Sequence, residues 1–379
     1  MLLESIEVHN FRNLSGKIFW GPGLNIIYGN NGQGKTNWLE AIHTLARTKS
    51  FRTQHLQESI RFNSELATIK GRVAYGGDIH RDLQIALHGN TKSFSINGKR
   101  EPLSQYLDQL YVVAFTADEL EVIRGMPDAR RRFIDRGAAS LQPSYVQTIA
   151  DYSRVIRQKN RILQDSFDRE QGLAETEDLI APWNTQLVGL AGKIHRARVD
   201  YVERLNQALE CRVFGQEQIL IRYVSSLEGK GDLNDYEGLI TERLRFRLPA
   251  EVAVGHSLIG PHRDELAILF DGREMRVYGS AGQQRSALLL LDLAAISLYN
   301  SSVNEHPVFI IDDVDAELDE GRIRHLLEYL ENRTQTFITT SKRSHVEGFF
   351  SRANVYEIEE GHVRSSQTST DVSAKSLFA

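Results

Sequence analysis

Eight consecutive residues carry the sharpest chemistry in this chain. Gly29 to Thr36 reads GNNGQGKT and meets the pattern G-x-x-x-x-G-K-[ST] at every fixed position. In that pattern the backbone N–H groups of Gly29, Asn30, Asn31, Gly32, Gln33 and Gly34 wrap phosphate oxygens, with the positive end of a helix behind them. Lys35 then reaches the β- and γ-phosphates, and the Thr36 hydroxyl ligates Mg²⁺. Far along the chain, the apolar run Val308-Phe309-Ile310-Ile311 ends in Asp312 and Asp313. Adjacent carboxylates repel each other, so a strand that ends in two of them implies a cation. Asp312 is expected to hold Mg²⁺ across from Thr36, and Asp313, one residue beyond, to orient or polarise water. A third candidate is Gly279 to Arg285, GSAGQQR. Ser280 and Gln283 satisfy a capping box, which by itself describes a well-capped helix start. The same exposed N–H groups could dock a γ-phosphate, with Gln283 turning from cap to nucleotide. His262, after Gly260-Pro261, could act as a base, but no nucleophile lies near it in sequence and a turn role suits it better.

These groups need elements to hold them. Leu24 to Tyr28 reads as a short strand before the glycine loop, and Trp38, Leu39, Ile42 and Leu45 fall on one face of a helix after it. Residues 2 to 8 alternate as a strand, with Leu2, Ile6 and Val8 expected on one face. From Phe51 to about Asp108 short strands and tight turns point to an antiparallel sheet, and Asn97-Gly98 is a type I′ hairpin signal. Tyr111 to Phe115 reads as a buried strand, and Phe337 to Ser341 as another. From Leu120 to Phe246 the pattern is mainly helical. In residues 148–163, Ile149, Tyr152, Ile156 and Leu163 share one face, while Arg154, Arg157 and Arg161 line the opposite one. Lys159 points toward the apolar side. Glu251 to Tyr278 returns to strands, with a hairpin signal at Asp271-Gly272. Beyond His362 the Ser- and Thr-rich chain reads as a flexible tail.

Composition narrows the function classes. At 379 residues, two domains or one domain with a large insertion are expected. A net charge of −5 gives no global sign of nucleic-acid binding, so any basic surface must be local. Arg124 to Leu163 supplies one, with nine Lys or Arg against three Asp or Glu. Arg131 and Arg132 belong to it, and Arg154, Arg157 and Arg161 are candidates for DNA contact or an ordinary solvated face. Arg52 and Lys92 could also touch DNA phosphate, although an isolated surface base is usually only solvated. Cys211 is the only cysteine, which rules out an internal disulfide and fits a reducing compartment. MLLESIEVHNF lacks a signal-peptide pattern, and Ala287 to Leu298, interrupted by Asp292, is too short to span a bilayer. A soluble, cytoplasmic protein without a membrane segment is expected.

Taken together and in order, the phosphate loop, the Ser-x-Gly-Gln-Gln segment 244 positions after Thr36 and the acidic strand that follows it resemble the ABC-type ATPase heads of the structural-maintenance-of-chromosomes group. The long coiled coil of that group has no counterpart here. The nearer resemblance, from Leu2 to about Gly361, is to the RecF family of bacterial recombination mediators. It rests on Asn10-Phe11-Arg12-Asn13, Asn37-Trp38-Leu39-Glu40-Ala41, Pro127, Arg131-Arg132-Phe133 and Asp135. It continues through Tyr152, Asn160, Gly260-Pro261-His262-Arg263-Asp264, Ser280-Ala281-Gly282-Gln283-Gln284, Asp312-Asp313-Val314 and Glu317-Leu318-Asp319. The chain departs from the family at Phe115-Thr116-Ala117-Asp118 and at Asp315-Ala316.

The resemblance implies an α/β fold: a P-loop ABC-type ATPase head of mixed sheet and helices, with an antiparallel β subdomain and a mainly helical insertion. The expected boundaries are 1–119 and 251–365 for the head, 120–250 for the insertion and 366–379 for the tail. It further implies ATP with Mg²⁺ at Gly29 to Asn37, with Arg12, Ser280, Gly282 and Gln283 as further nucleotide-binding positions and Lys35, Asp312 and Asp313 as the catalytic ones. On spacing alone, Arg12 reads as a solvated turn residue. The implied protein forms an ATP-dependent homodimer on duplex DNA, gapped DNA or a single/double-strand junction. There it acts with RecO and RecR to load RecA and hydrolyses ATP slowly under DNA stimulation. A non-hydrolysing structural DNA clamp is the alternative.

Overall fold

The computed structural model describes residues 1–76, 78–209, 219–331 and 333–367; Cys211 and the expected tail beyond 367 lie outside the described residues. Alternating burial builds β1 (Leu2–Phe11), and β2 (Leu14–Phe19) returns antiparallel beside it. The register of β1 slips between Leu3 and Ser5. That bulge corrects the expected face: Leu3, rather than Leu2, joins Ile6 and Val8 in the main core, while Leu2 packs with Ala74. β3 (Leu24–Tyr28) enters a different sheet and runs through the glycine loop into α1 (Lys35–Arg47). Trp38, Leu39, Ile42 and Leu45 of α1 are fully buried, as their spacing predicts. β4 (Leu66–Ala74), β5 (His80–His88), β6 (Thr91–Ile96) and β7 (Lys99–Arg100) complete an antiparallel sheet in the order β2-β1-β4-β5-β6-β7. Asn97 and Gly98 turn β6 into β7 with φ of 51° and 79°, the left-handed pair a type I′ turn needs. β8 (Val112–Phe115) is buried throughout.

The chain divides into two compact units, Met1–Ile123 with Ala208–Gln218 and Gly279–Ala379, and Arg124–Gln207 with Ile219–Tyr278. The second unit holds α2 (Pro127–Leu141), α3 (Ser144–Asp168), α4 (Leu173–Leu209) as far as Gln207, β9 (Ile219–Val224), α5 (Tyr236–Val254), β10 (Glu265–Phe270) and β11 (Arg273–Glu274). The expected boundary at residue 250 is corrected for two reasons. Helix α5 runs past it to Val254, and β10 pairs antiparallel with β9 from Glu265–Val224 to Phe270–Ile219. The insertion is therefore helices plus a three-stranded sheet, and residues 251–278 belong to it. Lys159 on α3 is fully buried against Glu251 of α5, 2.7 Å away, which explains why it leaves the basic face.

From Gly279 the first unit resumes with α6 (Ala281–Val303), β12 (Val308–Ile311), α7 (Glu320–Leu330), β13 (Thr336–Thr340), β14 (Asn354–Glu359) and β15 (His362–Gln367). The second sheet has the order β15-β14-β3-β13-β12-β8. Every pairing in it is parallel except that of β15 with β14. Val308, Phe309, Ile310 and Ile311 of β12 are all at 0% exposure, because a central parallel strand is covered on both faces. Each such side chain stabilises the fold by roughly 1.5–3 kcal/mol. Two further expectations are corrected. β15 hydrogen-bonds to β14 through Gln367, so Ser366 and Gln367 are strand rather than tail. The apolar segment is also longer than its sequence run: α6 is long and apolar enough, by length and composition, to cross a membrane, yet 72% of its apolar window is buried inside the fold. It is a core helix.

Candidate nucleotide site

The parallel strands β3, β12 and β13 end side by side, and the candidate chemistry collects at those C-terminal ends. The loop after β3 needs glycine. Gly29 has φ of 150°, and a Cβ there would sit 2.5 Å from the Ile358 carbonyl oxygen. Gly34 has φ of 99°, and its Cβ would stand 3.0 Å from the Asn13 side chain. Lys35 curls back over the loop, its Nζ donating to the Gly29 carbonyl at 2.7 Å and the Asn30 carbonyl at 2.9 Å. Burial holds this ammonium below the usual lysine range, while Asp313, Asp315 and Asp312 pull the other way.

Thr36 Oγ1 donates to Asp312 Oδ1 at 2.9 Å, across 276 positions of sequence. Thr339 Oγ1, at the end of β13, donates to the same oxygen at 2.7 Å. Burial pushes the Asp312 carboxyl above the ordinary aspartate range, against the hydrogen bonds from Thr339 and Thr36. A hydroxyl and a half-buried carboxylate are hard oxygen donors, the kind that suit Mg²⁺. Among the described residues no cluster of three or more His, Cys, Asp or Glu could hold a metal unaided. A cation on Thr36 and Asp312 would complete its shell with phosphate and water oxygens, as Mg²⁺ does. Asp313 follows with φ of 50°, its N–H bonded to Thr339 Oγ1 at 2.7 Å and its side chain exposed. Its carboxyl is also raised, first by burial and then by Asp315 and Asp312.

Three groups at this site escape the sequence reading. Asp315 accepts from the Ser341 hydroxyl at 2.8 Å and the Ser341 N–H at 3.2 Å. Burial opposes its charge, but hydrogen bonds from Thr340 and Ser341 win and hold it below the usual range. Glu40, wholly buried on α1, takes Arg12 Nε at 3.0 Å, Arg12 Nη2 at 2.7 Å and Ser50 Oγ at 2.6 Å. Arg12 is thus no solvated turn residue: the Glu40 fork fixes its guanidinium from a backbone with φ of 54°. The third group is the turn between β14 and β15. Glu360 N–H donates to Gln33 Oε1 and Gly361 N–H to the Gln33 carbonyl, both at 2.7 Å.

The remaining candidates lie as follows. Asn37 donates to Asn13 at 2.7 Å and accepts from Arg52 at 2.6 Å, which places Arg52 beside α1. Lys92 donates to the Thr48 carbonyl at 2.9 Å, at the C-terminal cap of α1. Ser280 and Gln283 form the reciprocal capping box, at 3.3 and 2.9 Å. Among the described residues no hydrogen bond joins Ser280, Gly282 or Gln283 to the glycine loop. In the second unit, Arg154, Arg157 and Arg161 are exposed, with Arg154 bonded to Asp151 at 2.8 Å. Arg132 is paired with Asp128, and Arg131 donates to the Asp264 carbonyl at 2.8 Å, so Arg131 is a tie within the fold. His262 accepts from or donates to Tyr152 at 2.7 Å, and desolvation lowers its pKa to about 4; it is a half-buried residue of the short 3₁₀ helix Pro261–Arg263.

The family model described as RecF/RecN/SMC N terminal domain matches residues 2–364. The DNA replication and repair protein RecF of Geobacillus kaustophilus (strain HTA426) is 34% identical over 372 residues, covering 96% of this chain and 99% of its own. The protein of the same name from Staphylococcus epidermidis (strain ATCC 12228 / FDA PCI 1200) is 35% identical over 381 residues, covering 96% and 100%. The solved structure of the recombination mediator protein RecF-ATP in the RecFOR pathway superposes with a TM-score of 0.86 at 29% identity, covering 97% of this chain and 99% of that one.

Proposed function

The chain belongs to the RecF family, with the SMC-type ABC ATPase head fold, and on that premise we propose that it binds and hydrolyses ATP in DNA replication and recombinational repair. The observation that carries this reading is the Thr36–Asp312 contact, which unites the phosphate loop with the acidic strand end at 2.9 Å. Lys35 is held by two carbonyls of its own loop and can exchange them for phosphate oxygens. Thr36 and Asp312 supply the protein oxygens for Mg²⁺, which neutralises phosphate charge when bound. In this reading Asp313, exposed just past the strand, orients or polarises the attacking water, while Gly29 to Asn37 present main-chain N–H groups to the phosphates.

In this reading Arg12 and the Ser280–Gln283 helix start complete the nucleotide site, Ser280 that of a second copy, so ATP itself drives homodimer formation. The exposed Arg154, Arg157, Arg161 face meets duplex DNA at gaps or single/double-strand junctions. RecO and RecR are the partners, in helping RecA onto the strand, and hydrolysis is slow and stimulated by DNA. The protein acts in the cytoplasm. The test is phosphate release from ATP with no DNA and with duplex, single-stranded and gapped DNA, for wild type and Asp313→Asn. Turnover that DNA raises, and that the variant loses while still binding ATP, is expected. ATP binding without turnover under any condition favours a non-hydrolysing clamp instead.

A further inference from the structure

The turn between β14 and β15 lies more than 320 residues from the glycine loop in sequence and grips it at several points. Glu360 N–H bonds the Gln33 side-chain oxygen at 2.7 Å, and Gly361 N–H bonds the Gln33 main-chain oxygen at 2.7 Å. The Gly361 carbonyl in turn accepts from Trp38 Nε1 at 3.1 Å, on the first turns of α1. The strand before the turn closes on the loop's beginning, since a Cβ on Gly29 would meet the Ile358 carbonyl at 2.5 Å. Nothing larger than glycine fits at the crossing. A Cβ on Gly361, at φ of 83°, would stand 2.8 Å from the Asn13 carbonyl, and one on Gly34 would stand 3.1 Å from Gly361 Cα. Asn13 then continues the grip to Asn37 at 2.7 Å.

A loop with positive φ at Gly29, Gly32 and Gly34 has much conformational freedom to lose when it closes on phosphate. Fixing that conformation beforehand removes the ordering cost from the binding step. We propose that the Glu360–Gly361 turn is a positioning element for ATP binding: it braces Gln33 and Gly34, so that the phosphate-facing N–H groups are preset before nucleotide arrives. This inference rests on the ATP-binding reading above. It gives Gln33 a different task from that of its neighbours, because both its oxygens face the turn.

Two variants test the brace. Gln33→Ala removes one acceptor and disturbs little else, whereas Gly361→Ala forces the turn away from Asn13. Each should weaken ATP binding about three- to tenfold, as expected when one or two hydrogen bonds are removed, and raise KM while leaving kcat at saturating ATP near wild type. In nucleotide-free protein, amide exchange at residues 29–36 should quicken in both variants while exchange in α6 stays as it was. The double variant should bind ATP about as weakly as the poorer single one, because both act through one brace. Unchanged affinity and unchanged loop exchange in both single variants overturn the proposal, as does a double variant whose weakening is the product of the two. A wild-type protein that binds no ATP overturns the functional reading as well, which the variants alone do not.

Discussion

Lys35 is held by the carbonyls of its own loop, and in the proposed reading it exchanges them for the phosphates of a nucleotide. Lys35→Ala removes a charge-assisted hydrogen bond worth about 1.5–3 kcal/mol, so ATP affinity should fall by roughly tenfold or more. Calorimetric titration measures this, with the circular-dichroism spectrum unchanged, and an unaltered affinity would remove the loop from the nucleotide site. A second residue-scale outcome concerns pH. His262 titrates at about 4 in the fold against an ordinary 6.5, so between those values the unfolded chain binds the extra proton. Its contribution to stability is complete above 6.5 and is lost as pH falls toward 4, by at most about 1.4 kcal/mol per pH unit. Urea unfolding between about pH 7 and 4.5 should show that slope flattened in His262→Gln. At this scale the sequence was legible where a residue's role is local. The glycine loop and its run from β3 into α1 follow from spacing within one stretch. Arg12, Glu40 and Asp315 take their roles from partners up to 49 positions away, and no local pattern encodes such pairings.

At the scale of elements, strands and helices were read well where periodicity was unbroken, as in α1 and β12. The misreadings have particular causes. A single bulge in β1 exchanged the places of Leu2 and Leu3. Ser365 to Gln367 lack apolar residues because β15 is an edge strand, held by its ladder to β14 rather than by burial. The helix start at Ser280 makes an element-scale prediction. Ser280→Arg removes the capping acceptor, at about 1 kcal/mol of local stability, and places a bulky charge on an exposed helix end. Monomeric protein should still bind ATP, while ATP-driven association should vanish in sedimentation velocity. Wild type that stays monomeric at every ATP concentration refutes the dimer. Between α3 and α5, Lys159 and Glu251 form a wholly buried ion pair. Lys159→Ala leaves the carboxylate without its counter-charge and should destabilise the second unit by about 3–5 kcal/mol, whereas replacing both residues with Met and Leu should recover most of it.

At the scale of the whole molecule, an acidic chain must concentrate any affinity for DNA in a local field. Arg154, Arg157 and Arg161 are the exposed row that could supply it, since Arg131 is engaged with Asp264 and Lys92 with Thr48. Removing one arginine that neutralises a DNA phosphate lowers the slope of log K against log salt by about 0.9. The triple Arg→Gln variant should therefore reduce that slope by roughly 2–3 on duplex DNA, for all sequences alike, and keep its ATP affinity. An unaltered slope sends the search to other basic residues. Domain limits were the least legible feature at this scale. The sequence returns to strand patterns at residue 251, but only pairing shows that β10 belongs with β9.

The order of strands in the second sheet has a consequence for how the protein is made. β3 and β8 are the only members that leave the ribosome early, and they are not neighbours, because β13 and β12 lie between them. Neither can complete a ladder until about 200 further residues have been translated, roughly 10–40 seconds at bacterial speeds. Meanwhile β1, β2 and β4 to β7 can already pair among themselves, and the second unit can fold as it emerges. The nascent chain thus carries a finished antiparallel sheet beside two apolar strands with open edges, ending at Phe115. Those edges are the sites at which a chaperone would bind, or at which overexpressed chains would aggregate. A chain stopped between β8 and β13 keeps both open edges and should be prone to aggregate, although it contains the whole phosphate loop.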